Sequence, residues 1–158
     1  LDIEYLSFGI GSLTAAKRTQ QLLPKLKGQD VMIVGTCGAF GKFCGVELLT
    51  ADLIYWLPSG QRLGLAWAIE KEIPNVCNDR PLYFRELPKR TVIASPTISK
   101  VKGLTDFIKK TLIAEEHLVE NIELYSVVSQ LMLHVKSLSI LLFRSTMILN
   151  FLSVHTYH

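Results

Sequence analysis

The stretch that decides the fold is Val31-Met32-Ile33-Val34-Gly35-Thr36-Cys37-Gly38-Ala39. Its first four residues are continuously apolar, and such a run is typical of a strand buried on both faces of a parallel sheet. The run leads directly into glycine-rich residues, and ligands of open α/β sheets bind beyond the carboxyl ends of such strands. We expect the Thr36 hydroxyl and its small neighbours to line a compact polar pocket. The alternative interpretation is that these glycine-rich residues form a structural loop.

A strand, a turn and a helix precede this stretch. Residues 3–8 are predicted to form a strand, and residues 13–27 a helix, because the apolar positions of the latter recur at helical spacing. Between them, Gly9-Ile10-Gly11 lets the backbone turn sharply, and the start of the helix presents free N–H groups to an anion or a polar sugar. An ordinary tight turn is the alternative interpretation. The strand–helix–strand order indicates an α/β domain.

The rest of the chain continues in the same manner. Its apolar runs predict three further strands, over Val46–Trp56, Thr91–Ser95 and residues 138–143, and three further helices, over residues 65–72, 103–116 and 121–135. A single domain spanning residues 1–158 accommodates all of these elements, since this length suffices for one buried core.

The composition is that of a globular protein. Apolar residues make up 49% of the chain and charged residues 20%, which argues against disorder. The net charge of +3 is spread along the chain, so we expect no nucleic-acid partner. The odd number of cysteines, three, argues against a disulfide framework and favours a cytoplasmic location. No cysteine pair has metal-ligand spacing with a histidine nearby, and neither a metal nor a cofactor is predicted.

Residues 138–154 are strongly apolar and raise the question of a membrane segment. Arg144 and Asn150 interrupt the run, whereas a spanning helix needs about 20 apolar residues without a central charge. The segment is therefore predicted to be a buried strand followed by an apolar tail, and no membrane partner is expected.

A carboxylate stands among apolar residues in Asn121-Ile122-Glu123-Leu124-Tyr125, on the last predicted helix. A buried carboxylate is costly unless it is paired or used. The Glu123 carboxylate can accept both hydroxyls of a ribose, because each hydroxyl is a hydrogen-bond donor. An exposed or helix-capping glutamate is the alternative interpretation.

Taken in order, these segments resemble the purine/uridine phosphorylase superfamily, especially its hydrolytic branch of methylthioadenosine/S-adenosylhomocysteine nucleosidases and futalosine hydrolases. The family's Ser-Gly-Ile-Gly turn is similar to Phe8–Gly11, and its Gly-Ser/Thr-Ala/Cys-Gly-Gly strand end to Gly35–Ala39. Its Val-Gly-Asp segment resembles Gly45–Leu49, and its Ser-Gly-Asp strand end resembles Ala94–Thr97. Its Glu-Met-Glu signature resembles Asn121–Glu123.

The resemblance implies a three-layer α/β fold, with a central mixed, largely parallel sheet flanked by helices and shortened at both ends. It also implies that Glu123 is catalytic and binds the ribose hydroxyls, with Ile122 and Gly9 beside the sugar. Thr36 would act in catalysis within the nucleophile or phosphate region. That region comprises Gly35, Thr36, Cys37 and Gly38, and the implied base-binding residues are Ser95, Ile98, Ser99 and Asn150.

The implied activity is cleavage of the N-glycosidic bond of a purine-type nucleoside, of the methylthioadenosine, S-adenosylhomocysteine or futalosine class. The family's members associate, so a homo-oligomer is implied as well. The sequence departs from the family at Ile148, which stands where an acidic Asp protonates the base. The family's first strand, which carries a water-activating Glu, has no counterpart in this sequence. Because the first residue is Leu1 rather than Met, we expect that a natural N-terminal piece precedes it.

Three alternatives remain open at the level of the sequence. Besides a nucleosidase, the chain could be a degenerate nucleoside-binding member without catalysis, a phosphate-dependent nucleoside phosphorylase, or an unrelated α/β binding domain. The arginines that clamp phosphate in the phosphorylases have no clear counterpart here, which favours hydrolysis over phosphorolysis.

Overall fold

Eight strands and two helices make up the described part of the fold. A computed structural model describes residues 3–39, 45–58, 72–74, 86–95, 118–145 and 152–157. The elements in chain order are β1 (Ile3–Ser7), α1 (Ser12–Leu26), β2 (Asp30–Ala39), β3 (Val46–Trp56), β4 (Glu72–Pro74), β5 (Lys89–Ala94), β6 (Leu118–Glu120), α2 (Leu124–Leu131), β7 (Ser137–Ser145) and β8 (Leu152–Tyr157).

The strands form one mixed sheet. Strands β2 and β7, β3 and β5, and β5 and β6 pair in parallel, whereas the other five described pairings are antiparallel. The prediction of a mixed sheet is confirmed, and the sheet is partly rather than largely parallel. The antiparallel pairings involve β8 with β1 and β2, β4 with β3, and β6 with β2. In addition, β7 lies between β2 and β3, parallel to the first and antiparallel to the second. The pairings β2–β7–β3–β5–β6–β2 close into a ring of five strands.

The two described helices pack against each other and against the sheet. Helix α1 buries one face at helical spacing, with Ala15, Thr19, Leu22 and Leu26. Helix α2 buries Leu124, Val127, Val128 and Leu131. This packing places the N-terminus of α2 beside the N-terminus of α1, where the candidate site lies.

Several predicted elements agree with the structure within one or two residues. These are the first strand, the first helix, and the strands over Val46–Trp56 and Thr91–Ser95. Strand β3 contains a register shift between Ala51 and Leu53, at the aspartate that separates them. The predicted helices over residues 65–72 and 103–116 lie outside the described residues.

Two interpretations of the chain path differ from the structure. The loop that was one alternative for Gly35–Ala39 does not form, because these residues are the end of β2, with which β7 pairs up to Gly38. The predicted helix over residues 121–135 is shorter: β6 ends at Glu120, α2 spans Leu124–Leu131, and turns follow. The apolar tail also contains a strand, β8, which the sequence pattern did not predict.

Candidate functional site

The turn between β1 and α1 is built around two glycines in left-handed conformations. Gly9 has φ +82° and Gly11 has φ +90°, a region that residues with side chains rarely adopt. Gly11 is the N-cap residue of α1, and its carbonyl oxygen accepts a hydrogen bond from Ala15 N at 2.9 Å. Gly11 has no side chain that could cap the helix. Its own N–H is available to a partner from elsewhere in the fold.

That partner is Glu123, whose carboxylate lies at the N-terminus of α1. Its Oε1 accepts a hydrogen bond from Gly11 N at 2.8 Å, and the residue is 0% exposed. Its other oxygen, Oε2, has no hydrogen-bond partner among the described residues. A buried carboxylate with an unused acceptor is costly for folding, and the hydroxyl groups of a ligand would satisfy it.

Burial raises the pKa of the Glu123 carboxyl above its usual range, because the charged form loses its hydration. The hydrogen bond from the Gly11 N–H lowers the pKa, as does the backbone N–H of Glu123 itself. The positive end of the α1 dipole acts in the same direction as these bonds. Burial outweighs these opposing effects, so the Glu123 carboxyl holds its proton more tightly than a glutamate in water does.

The raised pKa of Glu123 predicts that the free energy of unfolding depends on pH. Because the pKa is raised in the folded state, the folded chain binds more protons than the unfolded chain, and wild-type stability falls as the pH rises through the titration of Glu123. Glu123→Gln removes this loss and should raise the free energy of unfolding at pH 7 by roughly 1–3 kcal/mol. Denaturant unfolding of both proteins between about pH 4 and 8 measures the difference. A difference that stays constant over this pH range would contradict the prediction.

Gly9 offers a second prediction, because a Cβ at this position would lie 2.8 Å from Thr14 Cγ2. Gly9→Ala should lower the free energy of unfolding by about 1–3 kcal/mol, from backbone strain and this clash together. Gly28→Ala is the matched control, because Gly28 has φ +74° but a Cβ there would meet nothing within 4 Å. Denaturant unfolding should show the larger loss for Gly9→Ala. Adding Thr14→Ser, which removes the clashing methyl group, should recover part of it; no recovery would rule out the clash.

Asn121 joins the start of α2 to two strands, and its side chain is fully buried. Its Oδ1 accepts hydrogen bonds from Glu123 N at 3.0 Å and from Leu124 N at 2.7 Å. Its Nδ2 donates to the carbonyl oxygen of Thr36 at 2.9 Å, and its backbone N donates to Ile93 O at 3.0 Å. The Asn121 side chain therefore satisfies two N–H groups at the start of α2, from two residues before the N-cap residue Glu123, and the helix begins after the predicted boundary.

The predicted nucleophile region, Gly35–Gly38, lies on β2 beside this cap. The Thr36 carbonyl is held by Asn121, while the Cys37 side chain is buried in the core. Burial raises the pKa of the Cys37 thiol to about 12, and its Sγ lies 3.6 Å from Phe143 O. Since the thiolate is the reactive form of cysteine, Cys37 is not suited to act as a nucleophile.

A charged cluster lies next to Cys37 across the sheet. Arg90 and Arg144 both bind the carboxylate of Glu47, at 2.7 Å and 3.4 Å. Arg144 is in register with Glu47 on β3 and with Cys37 on β2. The cluster connects β3, β5 and β7, and Arg90 lies on β5.

Ser95, a predicted base-binding residue, directly follows β5 and is fully buried. Its hydroxyl donates a long hydrogen bond, 3.5 Å, to Glu120 Oε1 at the end of β6. Glu120 is also buried and was not singled out from the sequence. The signal that could have found it is the polar pair Glu120-Asn121, which interrupts an apolar run.

The structure brings several of the predicted site residues together. The Glu123 carboxylate binds the N–H of Gly11, in the turn that also contains Gly9. The Asn121 side chain binds both the Glu123 N–H and the Thr36 carbonyl oxygen, and so joins these two residues. Ile122 is buried next to Glu123 in the chain. The remaining predicted residues, Ile98, Ser99 and Asn150, lie outside the described residues, as does Ile148.

The described residues contain neither a candidate metal centre nor a candidate membrane-spanning helix. In these parts of the chain, no group of three or more His, Cys, Asp or Glu side chains is arranged to hold a metal ion. No helix among the described elements has the length and apolar character required to cross a membrane.

Comparison with known proteins bears on the fold. No protein-family model matches the chain, and the search of curated proteins gives no match. Among solved structures, the chain is similar to a futalosine hydrolase mutant of Helicobacter pylori strain 26695, with 15% identity and a TM-score of 0.57. The match covers 91% of this chain and 76% of that chain. At this identity the similarity concerns the fold, and the chain has the nucleoside phosphorylase-like α/β fold that the sequence resemblance implies.

Proposed function

We propose that this chain is a nucleosidase, which hydrolyses the N-glycosidic bond of a purine-type nucleoside of the methylthioadenosine, S-adenosylhomocysteine or futalosine class. The observation that carries this proposal is the buried Glu123 carboxylate, whose Oε2 has no hydrogen-bond partner among the described residues. Two adjacent hydroxyls of a ribose would supply the donors that this carboxylate lacks.

The charge of Glu123 suits the chemistry of glycosidic cleavage. The transition state resembles an oxocarbenium ion, so positive charge develops on the sugar ring as the base departs. A carboxylate bound to the sugar hydroxyls interacts more strongly with this charged ring than with the neutral substrate, and such a difference is what accelerates a reaction. Substrate binding also favours the ionised form of Glu123, since two hydroxyl donors stabilise the charge that burial disfavours.

The surrounding residues support water rather than phosphate as the attacking group. Arg90 and Arg144 both bind Glu47, so each guanidinium already has a carboxylate partner. In this proposal the nucleophile occupies the region of Thr36 and Gly38, Ile122 packs below the sugar, and Ser95 lies on the base side. Self-association and a cytoplasmic location stay predictions.

A second candidate function is nucleoside binding without catalysis. The residue that favours it is Ile148, which stands where the resemblance leads one to expect an acidic Asp. An isoleucine cannot protonate the departing base, and general acid catalysis is worth about 10²–10⁴-fold in rate. A chain without an acid would bind a nucleoside in the Glu123 site and release little or no base.

Base release separates these possibilities. The purified chain is incubated with methylthioadenosine, S-adenosylhomocysteine, adenosine, inosine and a futalosine-type nucleoside, with and without phosphate, and free base is followed by chromatography. The proposal expects release without phosphate. Release only with phosphate would make the chain a phosphorylase, and binding without release from a folded chain would favour the second candidate.

A further inference from the structure

We infer that Asn121 is a positioning residue, whose side-chain amide fixes the Glu123 carboxylate relative to the Gly35–Gly38 segment of β2. This inference rests on the proposed function, since it concerns how the ribose-binding carboxylate and the nucleophile region are held together. The resemblance assigns Asn121 no role, and many members of the family have a glutamate at the equivalent position.

The hydrogen bonds of Asn121 require an amide. Its oxygen accepts two N–H groups, from Glu123 and Leu124, whereas its nitrogen donates to a carbonyl oxygen, that of Thr36. A carboxylate can only accept, and a serine hydroxyl is too short to span both groups. The side chain is fully buried, so a lost partner could not easily be replaced by bulk water.

Glu123 is thereby held at both ends. Its backbone N–H is bound by Asn121 Oδ1, and its Oε1 is bound by Gly11 N. The bond from Asn121 Nδ2 to Thr36 O fixes this arrangement on β2. If the bond is lost, the start of α2 can shift against β2, and Glu123 Oε2 shifts relative to the nucleophile region. A displacement of about 1 Å at a reacting centre can cost about 10²-fold in rate.

Two variants remove the donor to Thr36 but retain the helix cap. In Asn121→Asp, the carboxylate can accept the two N–H groups but cannot donate. In Asn121→Ser, the hydroxyl remains a good cap residue but cannot reach both partners. Gln130→Met is the matched control. The Gln130 amide also connects the two helices, donating to Ala16 O at 3.3 Å and to Ser126 O at 2.7 Å, and neither of these hydrogen bonds involves Glu123.

The first readout is turnover, measured as kcat and KM separately on the nucleoside that the wild-type chain cleaves best. Both Asn121 variants should lose about 10- to 100-fold in kcat, with KM changed by less than about threefold. Gln130→Met should lower the melting temperature by about as much as the Asn121 variants do, but it should keep kcat within about twofold of wild type. A folded Asn121→Ser variant with wild-type kcat would overturn the inference.

The second readout does not depend on turnover. The Glu123 carboxyl is titrated by carbon NMR and assigned by the loss of its signal in Glu123→Gln. In Asn121→Ser, the pKa of this carboxyl should fall toward its ordinary value, because a loosened side chain regains water. An unchanged pKa would count against Asn121 as a positioning residue. A wild-type chain without base release contradicts only the proposed function, since the titration still tests Asn121.

Discussion

Replacing Glu123 by glutamine should lower kcat for base release by about 100- to 1,000-fold, comparable to the loss of one preorganised charge-stabilising group in other enzymes. Glutamine has nearly the same shape, and its side-chain oxygen can still accept the hydrogen bond that Gly11 N donates to Glu123. The charge that stabilises the oxocarbenium-like sugar is lost, however. The loss should appear mainly in kcat, because the neutral substrate benefits less from this charge than the transition state does. Chromatographic assay of free base measures it.

The matched control carries the same substitution at an exposed carboxylate. Glu4 lies on β1 and pairs with Lys25 at the surface, so Glu4→Gln should retain wild-type turnover. Glu123→Gln should remain folded, and the preceding stability prediction expects it to be more stable than wild type at neutral pH. Full activity in Glu123→Gln would remove Glu123 from the mechanism.

Replacing Phe8 by alanine should cause the largest loss of stability that we expect from a single substitution, about 3–5 kcal/mol in the free energy of unfolding. Phe8 lies between β1 and the turn at Gly9, is 0% exposed, and belongs to the main core cluster. Its removal leaves a cavity below the turn that presents the Gly11 N–H to Glu123. Denaturant unfolding, followed by circular dichroism, measures the loss.

Phe143→Ala is the matched control for Phe8→Ala. The Phe143 side chain on β7 is 38% exposed, and the same truncation there should cost at most about 1 kcal/mol, within the range of strand propensity. Similar losses for the two variants would mean that the core around Phe8 is not packed as described.

The local pattern of apolar residues was sufficient to predict those helices and strands that bury one face or both faces. The helical spacing of apolar residues located α1, and the continuous apolar run located β2. For Glu123 the sequence left a buried and an exposed carboxylate as alternatives, and the structure shows it buried. What failed was local structure that is determined by contacts distant in sequence.

Asn121 and the end of β2 illustrate that failure. Helical periodicity continues through residue 121, but the Asn121 side chain binds the N–H groups of Glu123 and Leu124 and ends the preceding strand instead. Glycines at positions 35 and 38 indicated a loop, although pairing with β7, about 100 residues later, keeps them in a strand. The partner of the Gly11 N–H was likewise invisible, since Glu123 lies 112 residues away.

The measurement that tests the central claim most directly is a binding cycle between Glu123 and the ribose hydroxyls. Calorimetry compares an adenosine analogue whose base is linked through carbon, so that it cannot be cleaved, with its 2′,3′-dideoxy counterpart, on the wild-type chain and on Glu123→Gln. We expect the wild-type chain to prefer the ribose form by about 10- to 100-fold, the value of hydrogen bonds to a charged group. Glu123→Gln should lose most of this preference. An equal preference in both proteins would show that the hydroxyls bind elsewhere and would contradict the assignment of Glu123.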